Sequence, residues 1–342
     1  MKRLAFLLFA CCAALRAHAE DAPTFSGFVD VAAVYNANAP ASHENFIPGT
    51  GTSAKRANEL ALNLAELQWT RAVSAEQPVG FTLSVVAGDG ETVVHGSDSL
   101  RYVYQASVAY RLPDGVVLEA GVYPSHIGFE SLFSKDNWNY TRSWLGELSP
   151  YYQTGIKASY AFNAHWSAQL HVLNGWQLVH DNNDARAFGT QLAYTSDRLT
   201  ASLNTFIGPE LADDNKSLRT LGDVVAIYRL TPRLQLGGSY DRGSQQLPET
   251  RAARWRGLAM YARYTLNARH AFALRAEQFR DDEGAISGTG QTLREATLTW
   301  EMRPRDALVL KLETRYDDSN TRVFAEDARG RFLALIGAVV TF

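Results

Sequence analysis

The chain has 342 residues, 46% of them hydrophobic and 20% charged, with 33 Lys and Arg against 36 Asp and Glu. The slightly negative balance argues against a nucleic-acid partner. The mean hydropathy of −0.20, with no long apolar run beyond the N-terminus, excludes helical membrane spans.

The first residues give the address. Lys2 and Arg3 precede an apolar core from Leu4 to Leu15, and Ala17-His18-Ala19 is a small-x-small cleavage site. Residues 1–19 therefore read as a secretory signal peptide cut before Glu20. The apolar run is too short for a membrane anchor, and Phe9 suits a lipoprotein site at Cys11 poorly. Both cysteines, Cys11 and Cys12, leave with the signal, so the mature chain has no disulfide or thiol chemistry. Lys2, Arg3 and Arg16 leave too, which makes the mature net charge −6.

From residue 25 onward the pattern is one of short alternating segments. Phe25–Asn36 puts Val29, Val31, Ala33 and Tyr35 on one face, and a polar loop runs to Arg56. Glu59–Trp69 is apolar at Leu60, Leu62 and Leu64, then changes phase to Leu67 and Trp69, which predicts a bulge; its Leu, Ala and Glu also suit a helix. Gly80–Gly88 alternates, and Leu100–Arg111 sets Tyr102, Tyr104, Ala106, Val108 and Tyr110 against Arg101, Gln105, Ser107 and Arg111. Leu112-Pro-Asp-Gly115 is a tight turn, and Val116–Tyr123 follows. The beat resumes over Tyr152–Phe162, Trp166–Leu173, Phe188–Tyr194, Leu199–Ile207, Leu218–Leu230, Leu234–Arg242, Ala253–Leu266, Ala271–Asp281, Gln291–Met302, Ala307–Tyr316 and Arg331–Phe342.

Strands of this length cross a bilayer when tilted, which takes about 9–11 residues. Connections alternate between short and long, as in an outer-membrane barrel with short periplasmic turns and long external loops. The predicted fold is an all-β transmembrane antiparallel barrel of about sixteen strands occupying residues 20–342. Tyr and Trp near the ends of the apolar face (Tyr102, Tyr110, Tyr160, Trp166, Tyr194, Tyr240, Tyr264, Trp300, Tyr316) fit interfacial girdles. The opposite face carries Lys157, His171, Arg263, Arg275, Glu277, Glu295, Glu301, Lys311, Glu313 and Arg315, which are expected to line an aqueous lumen. The last strand alternates Ala334, Ile336, Ala338 and Val340 and ends on Phe342, a terminal pattern that resembles the signature of bacterial outer-membrane barrels. It implies recognition by the barrel-assembly machinery.

The stretch from about 124 to 150 interrupts the beat. It is long, amide-rich, aromatic and charged, so it is expected to fold inward and narrow a pore. Glu130, Lys135, Asp136 and Arg142 are the candidate constriction charges, which across a narrow passage would order water and select polar solutes. Phe129, Trp138 and Tyr140 are read as packing anchors rather than a sugar-stacking slide.

These residues also carry a resemblance. Gly27-Phe-Val-Asp30 with Tyr35-Asn36, Glu130 with Ser134-Lys-Asp-Asn-Trp-Asn-Tyr-Thr-Arg-Ser143, Tyr152-Gln-Thr-Gly155, and Asn174-Gly-Trp176 with Asp181-Asn-Asn183 are similar to the OmpL-like β-barrel porin family. The resemblance spans nearly the whole mature chain and is densest from about 120 to 210. It implies an integral outer-membrane channel.

The reading is a porin passing small hydrophilic solutes or ions, without cofactor, metal or chemistry. Its partners would be outer-membrane lipids and lipopolysaccharide, with a homotrimer as a candidate assembly. The rival classes are a barrel enzyme and a surface-binding or adhesion protein using the external loops. Ser125-His126 cannot act on each other as nucleophile and base, and no Gly-x-Ser-x-Gly elbow occurs. Asp181-Asn-Asn-Asp184 has oxygen ligands but lacks the spacing and glycine of a calcium loop.

Overall fold

A computed structural model describes residues 22–47, 51–90, 100–248, 251–325 and 327–342. The signal peptide expected at residues 1–19 lies outside the described residues. The described residues form sixteen strands: β1 (Thr24–Asn36), β2 (Glu59–Arg71), β3 (Val79–Ala87), β4 (Val103–Arg111), β5 (Val117–Pro124), β6 (Tyr152–Ala161), β7 (Trp166–Leu173), β8 (Ala187–Thr195), β9 (Leu199–Pro209), β10 (Leu218–Arg229), β11 (Leu234–Gln245), β12 (Ala253–Asn267), β13 (His270–Asp281), β14 (Gln291–Arg305), β15 (Leu308–Ser319) and β16 (Gly330–Thr341). Each pairs antiparallel with its sequence neighbours, and β1 pairs with β16, closing the barrel.

Nearest-neighbour antiparallel pairing puts alternate connections at one end, and four of the short turns there carry a capping side chain. The Asn163 Oδ1 accepts from the Trp166 N–H at 3.0 Å, the Ser196 Oγ from Leu199 at 3.1 Å, the Thr231 Oγ1 from Leu234 at 2.9 Å and the Asn267 Oδ1 from His270 at 3.1 Å. Such side chains satisfy the turn's backbone in two or three residues. The other end carries the long connections, which is the periplasmic-turn, external-loop arrangement.

The two faces of the wall separate by chemistry. Outward positions are exposed and apolar, as at Val29, Leu203, Leu274 and Ile336. With lipid as the neighbour, that exposure is burial. Inward positions hold the acids, bases and amides, most of them buried within the lumen.

Two bulges set the register near the first strands. The β1–β2 pairing shifts between Asp30 and Val31, leaving Asn63 as the extra residue. Glu59–Arg71 is thus a strand with the predicted phase change, not a helix. Asn63 is used: its Nδ2 donates to Asp30 at 3.0 Å and its Oδ1 accepts from Ala54 at 2.9 Å. The second shift lies between Ser84 and Val85 and makes Tyr104 the extra residue on β4. The sequence pattern puts Tyr104 on the apolar outer face with Tyr102 and Tyr110; the bulge instead turns it inward, where it is buried.

Candidate functional site

The connection between β5 and β6, residues 125–151, lies inside the barrel, held by inward-facing groups of the wall. A chain buried without a ladder must find partners for its backbone, and here the wall's charges supply them. The Tyr140 and Thr141 N–H groups donate to the Glu313 carboxylate at 2.5 and 3.0 Å. The Lys311 Nζ donates to the carbonyls of Ser134 and Asn137, both at 2.6 Å. Arg275 reaches the Thr141 carbonyl at 2.5 Å and Arg315 the Arg142 carbonyl at 2.6 Å. The Asn139 amide meets Thr299 at 2.7 Å. The segment therefore climbs the wall along β13–β15.

Its own sequence folds it locally. Ser131 and Asn137 exchange two hydrogen bonds of 2.8 Å around a single 3₁₀ turn at Ser134–Asp136. A one-turn helix, α1 (Trp144–Glu147), is capped by Ser143, whose Oγ accepts from Gly146 at 3.0 Å. The next two orphan donors, the N–H groups of Trp144 and Leu145, go to Glu277 at 2.6 and 2.7 Å, so a wall carboxylate completes the cap.

Bulk fits into notches. A Cβ at Gly237 would sit 2.8 Å from the Phe129 ring, at Gly257 2.4 Å from Leu145, and at Gly337 2.3 Å from the Tyr140 ring. Phe129 stacks on Tyr261 at 4.1 Å, with Trp138 edge-on to Phe129 at 5.4 Å. Tyr140 is fully buried and its hydroxyl donates to Asp30 at 2.8 Å.

The four expected constriction charges do not face one another across one opening. Glu130 is spoken for: Arg275 lies at 2.8 Å and the Ser143 N–H and Oγ each donate at 2.7 Å. Lys135 and Asp136 pair with each other at 2.8 Å at the turn, with Lys135 over the Phe28 and Phe133 rings. Arg142 donates to the Gly146 carbonyl at 2.6 Å and lies 4.6 Å from the Tyr151 ring centroid. Among the described residues no carboxylate comes within ion-pair distance of Arg142, and its Nε is buried without a partner. Glu130 and Arg142 both border a cavity of about 260 Å³ between the two arms of the segment, lined also by Tyr104, Ser125, Ser131 and Tyr151.

The expected lumen-lining residues all point inward, but their surroundings divide them. Arg275, Glu277, Glu295, Glu313 and Arg315 are buried beneath the segment rather than bathed in water. Glu295 bridges Arg275 at 2.5 Å and Arg315 at 3.9 Å. Lys311 is likewise covered. The groups that keep water contact lie toward the short-turn end: Lys157, paired with Glu119 at 2.7 Å, and Arg263, which reaches the buried Glu301 at 2.9 Å beside Arg303. His171 is buried and stacks on His126 at 4.2 Å. Burial holds the His126 imidazole below its ordinary pKa of 6.5; its ring contacts Gln153 at 2.8 Å and the Thr205 carbonyl at 3.1 Å.

Several anchors are absent from the sequence-derived set. Asp30 accepts from Tyr140, Asn63 and Ser134. Asp317 receives Arg315 at 2.8 Å, Arg331 at 2.6 Å and the Trp144 indole at 2.9 Å. Glu147 accepts from the first long loop, at Gly51 and Thr52. An acid on the inward phase of an apolar strand, as at Asp30, is the signal that could have found the first. Among the described residues no cluster of three or more His, Cys, Asp or Glu could hold a metal ion.

Residues 23–342 match the family model described as "Putative beta-barrel porin-2, OmpL-like". The chain belongs to this family. No curated protein sequence matches it. Solved structures share the fold of this OmpL-like porin at low identity. The anion-selective porin from Comamonas acidovorans is 12% identical with a TM-score of 0.64, covering 94% of this chain and 99% of that one. The outer-membrane channel DcaP of Acinetobacter baumannii is 12% identical, with a TM-score of 0.63 and coverage of 94% and 97%. The trimer form of OmpT, an outer-membrane protein of Vibrio cholerae, is 12% identical, with a TM-score of 0.60 and coverage of 94% and 99%. Family and fold place the OmpL-like chain as an integral outer-membrane β-barrel porin.

Proposed function

We propose that this porin passes small hydrophilic solutes and ions by diffusion, with residues 125–151 setting the narrowest part of the route. The observation that carries the reading is the segment itself, docked inside a closed wall and enclosing a cavity bordered by Glu130 and Arg142. Glu130 is neutralised by Arg275, whereas Arg142 has no carboxylate partner among the described residues. Arg142 is the cation that lines this cavity, so the route should prefer anions; the structurally similar porin from Comamonas acidovorans is described as anion-selective.

An enzymatic reading finds less support. The His126 ring is occupied by Gln153 and a backbone carbonyl, and His171 stacks against it. Assembly as a homotrimer, contact with outer-membrane lipids, and delivery through the Phe342 terminus belong to the same proposal.

Planar-bilayer recording tests it. Shortening the segment between Ser131 and Ser143 should raise single-channel conductance, and Arg142→Glu should move the reversal potential in a salt gradient toward cations. Unchanged conductance and reversal potential in both variants would remove the constriction from the segment.

A further inference from the structure

The outer surface of the barrel is largely apolar at bilayer depth, and a patch of arginines departs from that; the outward Arg294 on the neighbouring β14 has Asp318 at 3.6 Å. On three adjacent strands the register sets Arg242 of β11 directly opposite Arg256 of β12, and Arg256 directly opposite Arg280 of β13. All three side chains are exposed, while their chain neighbours Asp241, Trp255 and Phe279 are buried inward. Arg254 points the same way, two residues nearer the long-loop end. Like charges directly opposite one another destabilise a sheet. Only Arg280 has a local answer, Asp282 at 2.7 Å. Among the described residues, no carboxylate lies within ion-pair distance of Arg242, Arg254 or Arg256. A row of this kind is a site waiting for an anion.

The residues beneath the row say what kind. One register step toward the bilayer centre stand Tyr240 and Leu258, and the next step aligns Gly238, Met260 and Ala276. The small side chains on either side of Met260 leave a furrow. It forms a cavity of about 450 Å³ lined mainly by Tyr240, Leu258, Met260 and Ala276, with Glu277 and Gln278 as polar members on β13, and closed at its upper end by Arg256 and Arg280. Immediately above, a second cavity of about 340 Å³ is lined by five arginines, Arg242, Arg251, Arg254, Arg256 and Arg280, against two acids, Asp282 and Glu283, so its lining is net positive. A basic cup thus sits on an apolar furrow, on the lipid-facing surface, at the end that carries the external loops. Arginine matches phosphate oxygens in bidentate geometry, and the furrow accepts hydrocarbon. Elsewhere near the long-loop ends of the strands, outward residues such as Tyr35, Tyr316 and Phe332 are aromatic instead.

We propose that Arg242, Arg254, Arg256 and Arg280 bind the phosphomonoester headgroup of an outer-leaflet glycolipid, with one of its acyl chains in the furrow beside Met260. The bound phosphate bridges guanidinium groups that would otherwise repel. The site lies outside the lumen, so it is separate from the conducting route.

The test uses the full-length folded barrel in zwitterionic detergent. Native mass spectrometry counts bound lipid during titration with bisphosphorylated lipid A, with its dephosphorylated form, and with inorganic phosphate as competitor. The wild-type protein should bind the bisphosphorylated lipid at least tenfold more tightly than the dephosphorylated one, with little competition from inorganic phosphate. Arg242→Gln/Arg256→Gln should lose that preference while keeping wild-type conductance. Met260→Trp, which fills the furrow and keeps every arginine, should also weaken binding, and it stands in should the double variant fail to fold. Retention of the phosphate preference by the folded double variant would overturn the proposal. So would full competition by inorganic phosphate, which would make the patch a simple anion site. A change in oligomer size without loss of lipid preference would make it a subunit contact and overturn it equally.

Discussion

Replacing Arg275 by Met should free the inner segment from its wall. Arg275 is fully buried and joins three things: Glu130 of the segment at 2.8 Å, the Thr141 carbonyl at 2.5 Å, and Glu295 of β14 at 2.5 Å. Methionine fills similar volume but donates nothing, so Glu130 and the Thr141 carbonyl lose their partner in a buried place. Removing one member of a buried ion pair costs about 3–5 kcal/mol. Glu295 retains Arg315 at 3.9 Å, and the strand ladder is untouched. The cost therefore falls on docking of the segment, and at 1.4 kcal/mol per decade it shifts that equilibrium by roughly 10²- to 10⁴-fold. Single-channel recording should show larger or flickering openings, and trypsin should cut after Lys135, whose side chain already keeps some exposure. The barrel should remain folded and heat-modifiable. Adding Glu130→Gln should restore part of the loss, because the stranded charge is gone. Wild-type conductance together with wild-type protection at Lys135 would refute the argument that this pair pins the segment.

Three further outcomes are expected. Deleting Phe342 should impair insertion, since the residue closes the β1–β16 seam through paired backbone bonds with Gly27 of 3.0 Å in each direction; normal accumulation of folded protein in the outer membrane would contradict this. Tags at Ser319–Arg322 should be reachable on intact cells and tags at Pro232 should not, because they lie in a long connection and a short turn respectively; labelling at Pro232 would invert the orientation. Burial lowers the folded-state pKa of His126, so the unfolded or undocked state takes up the proton first. Its stabilising contribution is full above about pH 6.5 and is lost as pH falls through the lower folded value. Protection of the 125–151 segment from protease should fall between pH 7 and 5 in wild type and stay flat in His126→Gln; identical profiles would exclude His126 as the cause.

The wall was legible because membrane strands have a rigid two-residue period and a solvent that punishes errors. The boundaries from Trp166–Leu173 to Gly330–Thr341 fall within a few residues of the alternation. Tyr104 was misread because a bulge changes phase without any mark in composition; the extra residue is visible only against β3. Inside the lumen the difficulty is different. That the 125–151 segment is aromatic is plain from the sequence, but the partner of Glu130 is 145 residues away and comes from the far wall. Charges that look like pore lining prove to be the hydrogen-bond partners of a buried backbone, as Glu313 and Lys311 show. Gly237, Gly257 and Gly337 are the other unread signal: inward glycines in mid-strand mark where bulk from elsewhere must dock.

The inner segment also touches both sides of the place where the chain closes on itself. Tyr140 bonds to Asp30 on β1 through its hydroxyl and to Glu313 on β15 through its N–H, and its ring lies against Gly337 of β16. Bringing β1 to β16 joins residues some three hundred positions apart, an entropic cost of about 5 kcal/mol by loop-closure scaling. Shortening that loop by prior docking would recover only about 0.6 kcal/mol per halving, so the segment contributes little as a tether. Its value is as a gauge. A slip of β16 against β1 by two residues preserves inward and outward faces, and alternation alone cannot forbid it. The same slip would carry Gly337 away from the Tyr140 ring, and β15 with it would draw Glu313 out of reach. The barrel's shear, and with it its diameter, is thereby read out by one tyrosine.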